Sequence, residues 1–259
     1  MEDYTIEKVK ANLLLNEFCV ESPSELDLVG IANAKGAVIN FSPLKGHMGR
    51  VFHDGTNAVI TINDKVEGAG QRNFIISHEL GHFLNDDFSK HSCSSKDLLS
   101  YTSKKETENA ANVFAAELLM NTKWFKTFTG RQLFDRILLE EITKYFNTSI
   151  TSAAIRYTQI GHHPAAVILT QNGFTKWAAF SKYFPFQFVP NNIRVKSLST
   201  VYDFYEEGKK YNGPEEIRSE AWFEDAYRRD KPEYLVEENV YMNNYKSVLT
   251  ILRLPVLAN

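Results

Sequence analysis

Residues 70–84 constrain the possible fold and chemistry of this chain most. They contain the run His-Glu-Leu-Gly-His at residues 78–82, which has the form H-E-x-x-H, and their apolar and histidine positions recur at four-residue spacing. This spacing predicts an α-helix, on which His78 and His82 lie one turn apart and differ by about 40° in azimuth. Two imidazoles placed in this way can bind one tetrahedral zinc ion, and Glu79 beside them can accept a proton from a bound water. An ordinary helix with two chance histidines would give the same pattern, so other parts of the chain have to decide.

The composition limits the class of protein. A chain of 259 residues with 43% hydrophobic and 24% charged residues indicates a folded, soluble protein with one large domain or two smaller ones. The net charge of −3 argues against a non-specific nucleic-acid binder, which needs a basic face. We find no apolar run of the roughly 18 residues that cross a membrane, and the first residues have no apolar segment typical of a secretory signal. The only cysteines, Cys19 and Cys93, are too few for a disulfide framework, so we expect a reducing cytoplasm.

The segment before the histidine helix is predicted to form helices and then a small antiparallel sheet. Residues 4–18 have the pattern of an amphipathic helix, and a second helix is expected with Ser24 as its N-cap. Three β-rich runs follow at residues 37–41, 48–53 and 57–62, with the hairpin signal Asp54-Gly55 before the last of them. If the 57–62 strand is the edge of the sheet, it offers backbone groups to an extended peptide, although an ordinary edge strand is equally compatible.

A helix predicted at residues 105–120 supplies the candidate third ligand. Glu108 and Asn112 lie on the same stripe as Ala115 and Leu119, at i, i+4, i+7 and i+11. A carboxylate and an amide on an apolar stripe need partners. We therefore predict that Glu108 completes a site of two histidines and one glutamate, and that Asn112 hydrogen-bonds a ligand histidine.

Other residues remain as rivals for these roles. Glu106 and Glu117 lie off the stripe, and His91 and Cys93 lie in a polar, serine-rich loop at residues 86–104 that could approach a metal but is more typical of a solvated loop. Residues 131–146 and 149–159 have the outline of a helix-turn-helix motif. The second of these helices offers Arg156 and few other cations, so we interpret the pair as a packing element and direct nucleic-acid binding as the weaker alternative.

The remainder of the chain is predicted to be a separate α+β domain. Gly161-His162-His163-Pro164 marks the boundary, with the adjacent histidines interpreted as linker. Beyond it we predict a hairpin around Asn172-Gly173, helices at residues 201–207 and 214–228, and a closing hairpin at residues 233–254. The aromatic side chains of this half are interpreted as core first, with a ligand-binding face as the alternative.

Taken together, these features resemble the ImmA/IrrE family of metallopeptidases. The resemblance covers roughly residues 5–160 and is carried by residues 57–63, 78–82, 108–120 and 146–149, with Ala153 and Arg156. It implies a zincin-like metallopeptidase domain at residues 1–161, and an α+β regulatory or substrate-recognition domain at residues 162–259. It also implies a zinc-dependent endopeptidase that acts on a helix-turn-helix transcriptional repressor, with His78, His82 and Glu108 as the ligands and Glu79 as the general base.

The chain departs from the family pattern at two places. Some relatives carry an N-terminal helix-turn-helix domain, and the single helix before Cys19 is too short for one, so we expect the repressor to be a separate protein. Ala110 stands where the family often has a second acid, which is not needed to bind the metal. A regulatory protein that binds a repressor without cutting it, or senses a ligand through its C-terminal domain, remains the alternative function. His91, Tyr101 and Tyr157 all remain candidates for an oxyanion donor.

Overall fold

The chain has a mixed α+β fold made of two compact units, as predicted. The computed structural model describes residues 5–54, 56–85, 91–94, 106–242 and 246–255. One unit comprises residues 1–128 and 142–153, and the other comprises residues 129–141 and 154–259; they are called the first and the second unit below. The predicted domain boundary between residues 161 and 162 stays a prediction, and the second unit also includes segments that precede it.

The first unit is built from helices around a four-stranded sheet. Its helices are α1 (Thr5–Glu17), α2 (Leu28–Ala34), α3 (Ala69–Asn85), α4 (Glu106–Leu119) and α5 (Thr122–Thr129), and α6 (Arg136–Tyr145) and α7 (Ile150–Ile160) follow along the chain. The prediction that Ser24 is the N-cap of the second helix is wrong, because residues 23–25 form a separate 3-10 turn. Asp27 caps α2 instead, and its side chain accepts a hydrogen bond from the Gly30 N–H at 2.9 Å.

The sheet of the first unit is mixed, where the sequence predicted an antiparallel one. Its strands are β1 (Ala37–Ser42), β2 (His47–His53), β3 (Ala58–Asn63) and β4 (His91–Ser94), in the order β1-β3-β2-β4. Strands β2 and β3 pair antiparallel, as the hairpin prediction requires, and Gly55 of the predicted turn lies outside the described residues. Strand β1, however, pairs with β3 in parallel. Strand β3 is therefore internal, and the expectation that it forms an edge is wrong. Apart from Val59 its residues are buried, which is typical of a strand covered on both faces.

The central part of helix α3 is enclosed on all sides. Every residue from 74 to 83 is buried, so the helix is central to the unit and not an amphipathic surface helix. Gly81 allows α4 to approach closely, because a Cβ at this position would lie 3.1 Å from the Phe114 ring and 3.3 Å from Ala111 Cα. This close packing brings the first turn of α4 beside the middle of α3.

The second unit is centred on a five-stranded antiparallel sheet. Its elements are β5 (Ala165–Gln171), β6 (Phe174–Phe180), α8 (Thr200–Glu207), β7 (Glu215–Arg218), β8 (Tyr234–Met242) and β9 (Ser247–Arg253), with the strand order β6-β5-β9-β8-β7. The hairpin predicted at Asn172-Gly173 is confirmed, with positive φ angles of 52° and 81°. The closing hairpin of β8 and β9 and the helix at α8 are also confirmed; the predicted turn residues 243–244 lie outside the described residues.

The prediction of a helix at residues 214–228 is wrong. Strand β7 occupies the start of this segment, and two short 3-10 turns, Ser219–Ala221 and Glu224–Tyr227, follow it. The four residues of β7 pair antiparallel with β8, and only Ile217 among them is buried. Pairing with a strand that is distant in sequence therefore overrides the local helical pattern.

Most of the aromatic side chains that distinguish the second unit do contribute to a core. Phe184, Phe186, Trp222 and Phe223 belong to one buried cluster, and the rings of Phe186 and Phe223 stack with centroids 4.1 Å apart. Core packing therefore accounts for this part of the composition. Within the described ranges, none of the helices is both long enough and apolar enough to cross a membrane.

Candidate metal centre

The structure brings the three predicted ligands together at the contact between α3 and α4. His78 and His82 lie one turn apart on α3, and their Nε2 atoms are 3.1 Å from each other. Glu108 lies in the first turn of α4, and its Oε2 atom is 3.3 Å from His78 Nε2 and 3.6 Å from His82 Nε2. In the part of the chain that is described, these residues form the cluster of potential ligand atoms that could hold a metal ion.

The spacing of these atoms fits a tetrahedral zinc site. Two ligand atoms that each lie about 2.0–2.1 Å from a tetrahedral zinc ion are about 3.3–3.4 Å apart. The observed separations of 3.1, 3.3 and 3.6 Å are close to that value. Three protein ligands leave a fourth position for water or substrate, which is the arrangement of catalytic rather than structural zinc sites.

Asn112 fixes the orientation of His78, as predicted. Its Oδ1 atom lies 2.9 Å from His78 Nδ1. Since an amide oxygen only accepts hydrogen bonds, Nδ1 must carry the proton and donate it. The Nε2 lone pair of the neutral ring then points towards His82 and Glu108, where a metal would bind it.

The electrostatics of the site favour the protonation states that bind a metal. Burial lowers the pKa of the His78 imidazole, so the neutral ring is preferred. Burial alone would raise the pKa of the Glu108 carboxyl, but hydrogen bonding and charge from His78 and His82 outweigh burial when their Nε2 atoms carry a proton, the place that a metal cation would take, and hold this pKa well below its usual range. A neutral imidazole and an ionised carboxylate are the forms in which these groups act as ligands.

Glu79 lies on the side of α3 that faces β2. It is fully buried, and a Cβ atom at Gly49 of β2 would be 2.7 Å from Glu79 Oε1 and would overlap Ile75. The strand can pass this close to the carboxylate only because residue 49 has no side chain. Sequence reasoning missed the contribution of Gly49; a lone glycine inside a strand pattern, which often marks a close backbone approach, was the available signal.

The rival acids are placed elsewhere. Glu106 is exposed at the start of α4. Glu117 is buried, and its carboxylate accepts hydrogen bonds at 2.9 Å from the Thr122 N–H and at 2.8 Å from the Thr122 hydroxyl. Glu117 therefore holds the start of α5, a structural role.

The structure describes the side chains of only some of the other candidate residues. The backbone of His91 and Cys93 belongs to β4, while their side chains and the whole of Tyr101 lie outside the described residues. The Tyr157 hydroxyl donates a hydrogen bond to the Gln132 carbonyl at 3.2 Å, and its ring stacks on Phe134 within the second unit. Arg156 is only 1% exposed, so it does not form the cationic surface that a groove-reading helix needs.

Comparisons with known proteins identify the domain that contains these residues. Residues 32–158 match the family model described as the IrrE N-terminal-like domain, Peptidase_M78. A solved structure of a Mycobacterium tuberculosis transcriptional regulator aligns over 96% of this chain and 75% of its own, with a TM-score of 0.57 and 14% sequence identity. At that identity the likeness shows a shared fold. No curated protein sequence matches the chain.

Proposed function

The chain belongs to the ImmA/IrrE family through residues 32–158, and we propose that it is a zinc-dependent endopeptidase acting on a protein substrate. The observation that carries the proposal is the convergence of His78, His82 and Glu108, with Glu79 on the same helix as the two histidines. A chance H-E-x-x-H helix would have no reason to meet a buried carboxylate on another helix. The family supplies a protease-like domain, and the identity of the metal as zinc is part of the proposal.

Each residue has a distinct task in the proposed reaction. His78 Nε2, His82 Nε2 and Glu108 would hold the metal, and Asn112 keeps the His78 ring in the required orientation. A zinc ion held there would lower the pKa of a bound water towards about 7 and would polarise the substrate carbonyl. Glu79 would accept a proton from the water as the water oxygen bonds to the carbonyl carbon. It would then deliver this proton to the leaving nitrogen, so that the carboxylate is regenerated as the C–N bond breaks.

We propose a helix-turn-helix transcriptional repressor, supplied as a separate protein, as the substrate. This proposal rests on the family resemblance and is in keeping with the fold likeness to a transcriptional regulator. Cleavage of a repressor would couple peptidase activity to gene expression. We propose that the second unit contributes recognition or regulation.

Replacement of the general base tests the proposed activity. Glu79→Gln should retain stoichiometric zinc and lose at least about a hundredfold in cleavage rate, because removal of a general base costs about 10²–10⁴-fold. The measurements are metal content of the purified protein and intact-mass detection of products from helix-turn-helix repressors of the same organism, each tested as a purified protein. Glu106→Gln, which changes an exposed acid near the same site, is the control and should leave both values unchanged. Full-speed cleavage by Glu79→Gln would reject the proposed role of this residue.

The alternative is a regulatory protein that binds a repressor, or senses a ligand, without cleavage. Two observations favour it: the centre is closed, with His78, Glu79 and His82 at 0% exposure, and the second unit contains a cavity of about 510 Å³ beside Phe174, Arg194 and Tyr205. On this alternative the protein would bind the repressor without cutting it. The effect on the repressor would then persist in the Glu79→Gln variant.

A further inference from the structure

Strand β2 is the strand that runs alongside the metal helix. Gly49 contacts α3 at Ile75 and Glu79, and four residues further on the His53 ring meets the Phe83 ring edge to face, with centroids 5.7 Å apart. The strand and the helix therefore run side by side in the same direction. A peptide strand added to the free side of β2 would lie next to the proposed general base.

That side of β2 is already paired within the chain. One edge of β2 pairs with β3, and the other pairs with β4 in antiparallel register. Gly49, the residue against Glu79, has Cys93 as its partner, and Arg50 is opposite Ser92. The backbone groups that a bound peptide would use are occupied by residues 91–94.

The centre itself is closed in this arrangement. His78, Glu79 and His82 are completely buried, and Glu108 is 5% exposed. An endopeptidase has to bring a segment of another protein to its metal, so a part of the first unit must move before the reaction. Strand β4 is a suitable part, because four paired residues are a short strand, whereas the pairing of β1 with β3 extends over six.

We propose that β4 is an autoinhibitory strand: it occupies the edge of β2 beside Glu79, and an extended segment of the substrate must displace it to reach the metal centre. This inference rests on the proposed endopeptidase function and specifies its regulation. The exchange replaces one set of backbone hydrogen bonds with an equivalent set, which is the β-augmentation mode of peptide binding. The intact protein is then restrained until a suitable extended segment is presented.

A reversible disulfide across the two strands tests the exchange. Arg50→Cys with Ser92→Cys joins directly opposed residues, in a background where Cys19 and Cys93 are replaced by serine. The probe for the zinc-loaded protein is a tripeptide hydroxamate, which has a backbone to pair, and acetohydroxamate, which has none, is the comparison ligand. The oxidised protein should bind the tripeptide hydroxamate about tenfold or more weakly than the reduced protein, since the competent state is removed. Acetohydroxamate should bind both forms equally.

The control lock joins β1 to β3 through Val38→Cys with Val59→Cys, exposed partners in the parallel register. Its oxidation should not change binding of the tripeptide hydroxamate. A second variant, Ser92→Pro, disfavours the strand pairing of β4 without a new cross-link and should bind the tripeptide hydroxamate several-fold more tightly than the unmodified protein.

Each result separates this inference from the proposed function. Two results overturn the autoinhibitory role of β4, even if a repressor is cleaved. The first is equal binding of the tripeptide hydroxamate by the oxidised and the reduced R50C/S92C protein. The second is no binding of this ligand by either the reduced form or Ser92→Pro. A lock-dependent difference with no cleavage of any repressor supports strand exchange and rejects the proposed cleavage of a repressor. A substrate that pairs with the outer edge of β4, without displacing it, would bind the locked protein normally.

Discussion

Glu108 in the first unit and Glu237 in the second are both buried carboxylates, and their surroundings differ in kind. Glu237 accepts hydrogen bonds from neutral donors: the Ser199 hydroxyl at 2.8 Å, the Thr200 N–H at 2.9 Å and the Trp222 indole N–H at 2.6 Å. Glu108 instead faces the Nε2 atoms of two histidines. Donors that surround a carboxylate stabilise a fold, whereas ligand atoms that converge with it on one point leave room for a cation.

The same contrast exists inside the first unit. Glu117 is on the same helix as Glu108 and is equally buried, yet the Thr122 N–H and hydroxyl engage its carboxylate. Burial of an acid therefore does not identify a metal site. The chemical type of the facing atoms does.

The largest effect expected from this comparison concerns Glu108. Glu108→Ala should reduce the affinity for zinc by more than about a hundredfold, because the site falls from three ligands to two and the loss of a mere outer-shell partner already costs about 10–100-fold. Chelation should lower the melting temperature of the unmodified protein, since a bound metal stabilises by about 4 kcal/mol at a thousand times its dissociation constant. The variant should melt at one temperature with or without chelator. Undiminished zinc binding by this variant, measured by competition with a chromogenic chelator, would break the distinction between the two carboxylates.

A stability change without a metal change is expected at Glu237. Glu237→Gln should lower the free energy of unfolding by about 2–3 kcal/mol. The NH₂ group of the new amide would face hydrogen-bond donors of Ser199, Thr200 and Trp222, and some of these would lose their acceptor. Urea unfolding followed by the fluorescence of Trp177 and Trp222, in a Trp124→Phe background because Trp124 lies in the first unit, measures this effect, and zinc content should be unaffected. Loss of zinc from the folded variant would contradict this comparison, because it would show that Glu237 also supports the metal site.

The smallest of the three effects is expected at Asn112, which touches a ligand but does not itself bind. Asn112→Ala should weaken zinc binding by about 10–100-fold, the usual cost of removing a partner that orients a ligand histidine. Asn112→Asp, which keeps an acceptor for His78 Nδ1–H, should recover most of the affinity. If both substitutions were silent in zinc titrations, the hydrogen bond would be incidental to the site.

The features determined by the sequence alone depend on short-range geometry. The four-residue spacing of His78 and His82 requires that both lie on one helical face, and the stripe through Glu108 and Asn112 requires that these two lie together on another. The positive φ angles at Asn172 and Gly173 likewise follow from residue type. In each case the pattern and the structure it predicts lie within a few residues of each other.

Tertiary structure decided what depends on partners distant along the chain. Alternation identified β3 as a strand but not its internal place between β1 and β2, and local propensity favoured a helix where β7 pairs with β8. The approach of Gly49 to Glu79 and the pairing of β4 on the edge of β2 are of the same kind. Strand order and edge occupancy are set by which surfaces bury each other, and a pattern that repeats every two or every 3.6 residues contains no information about that choice.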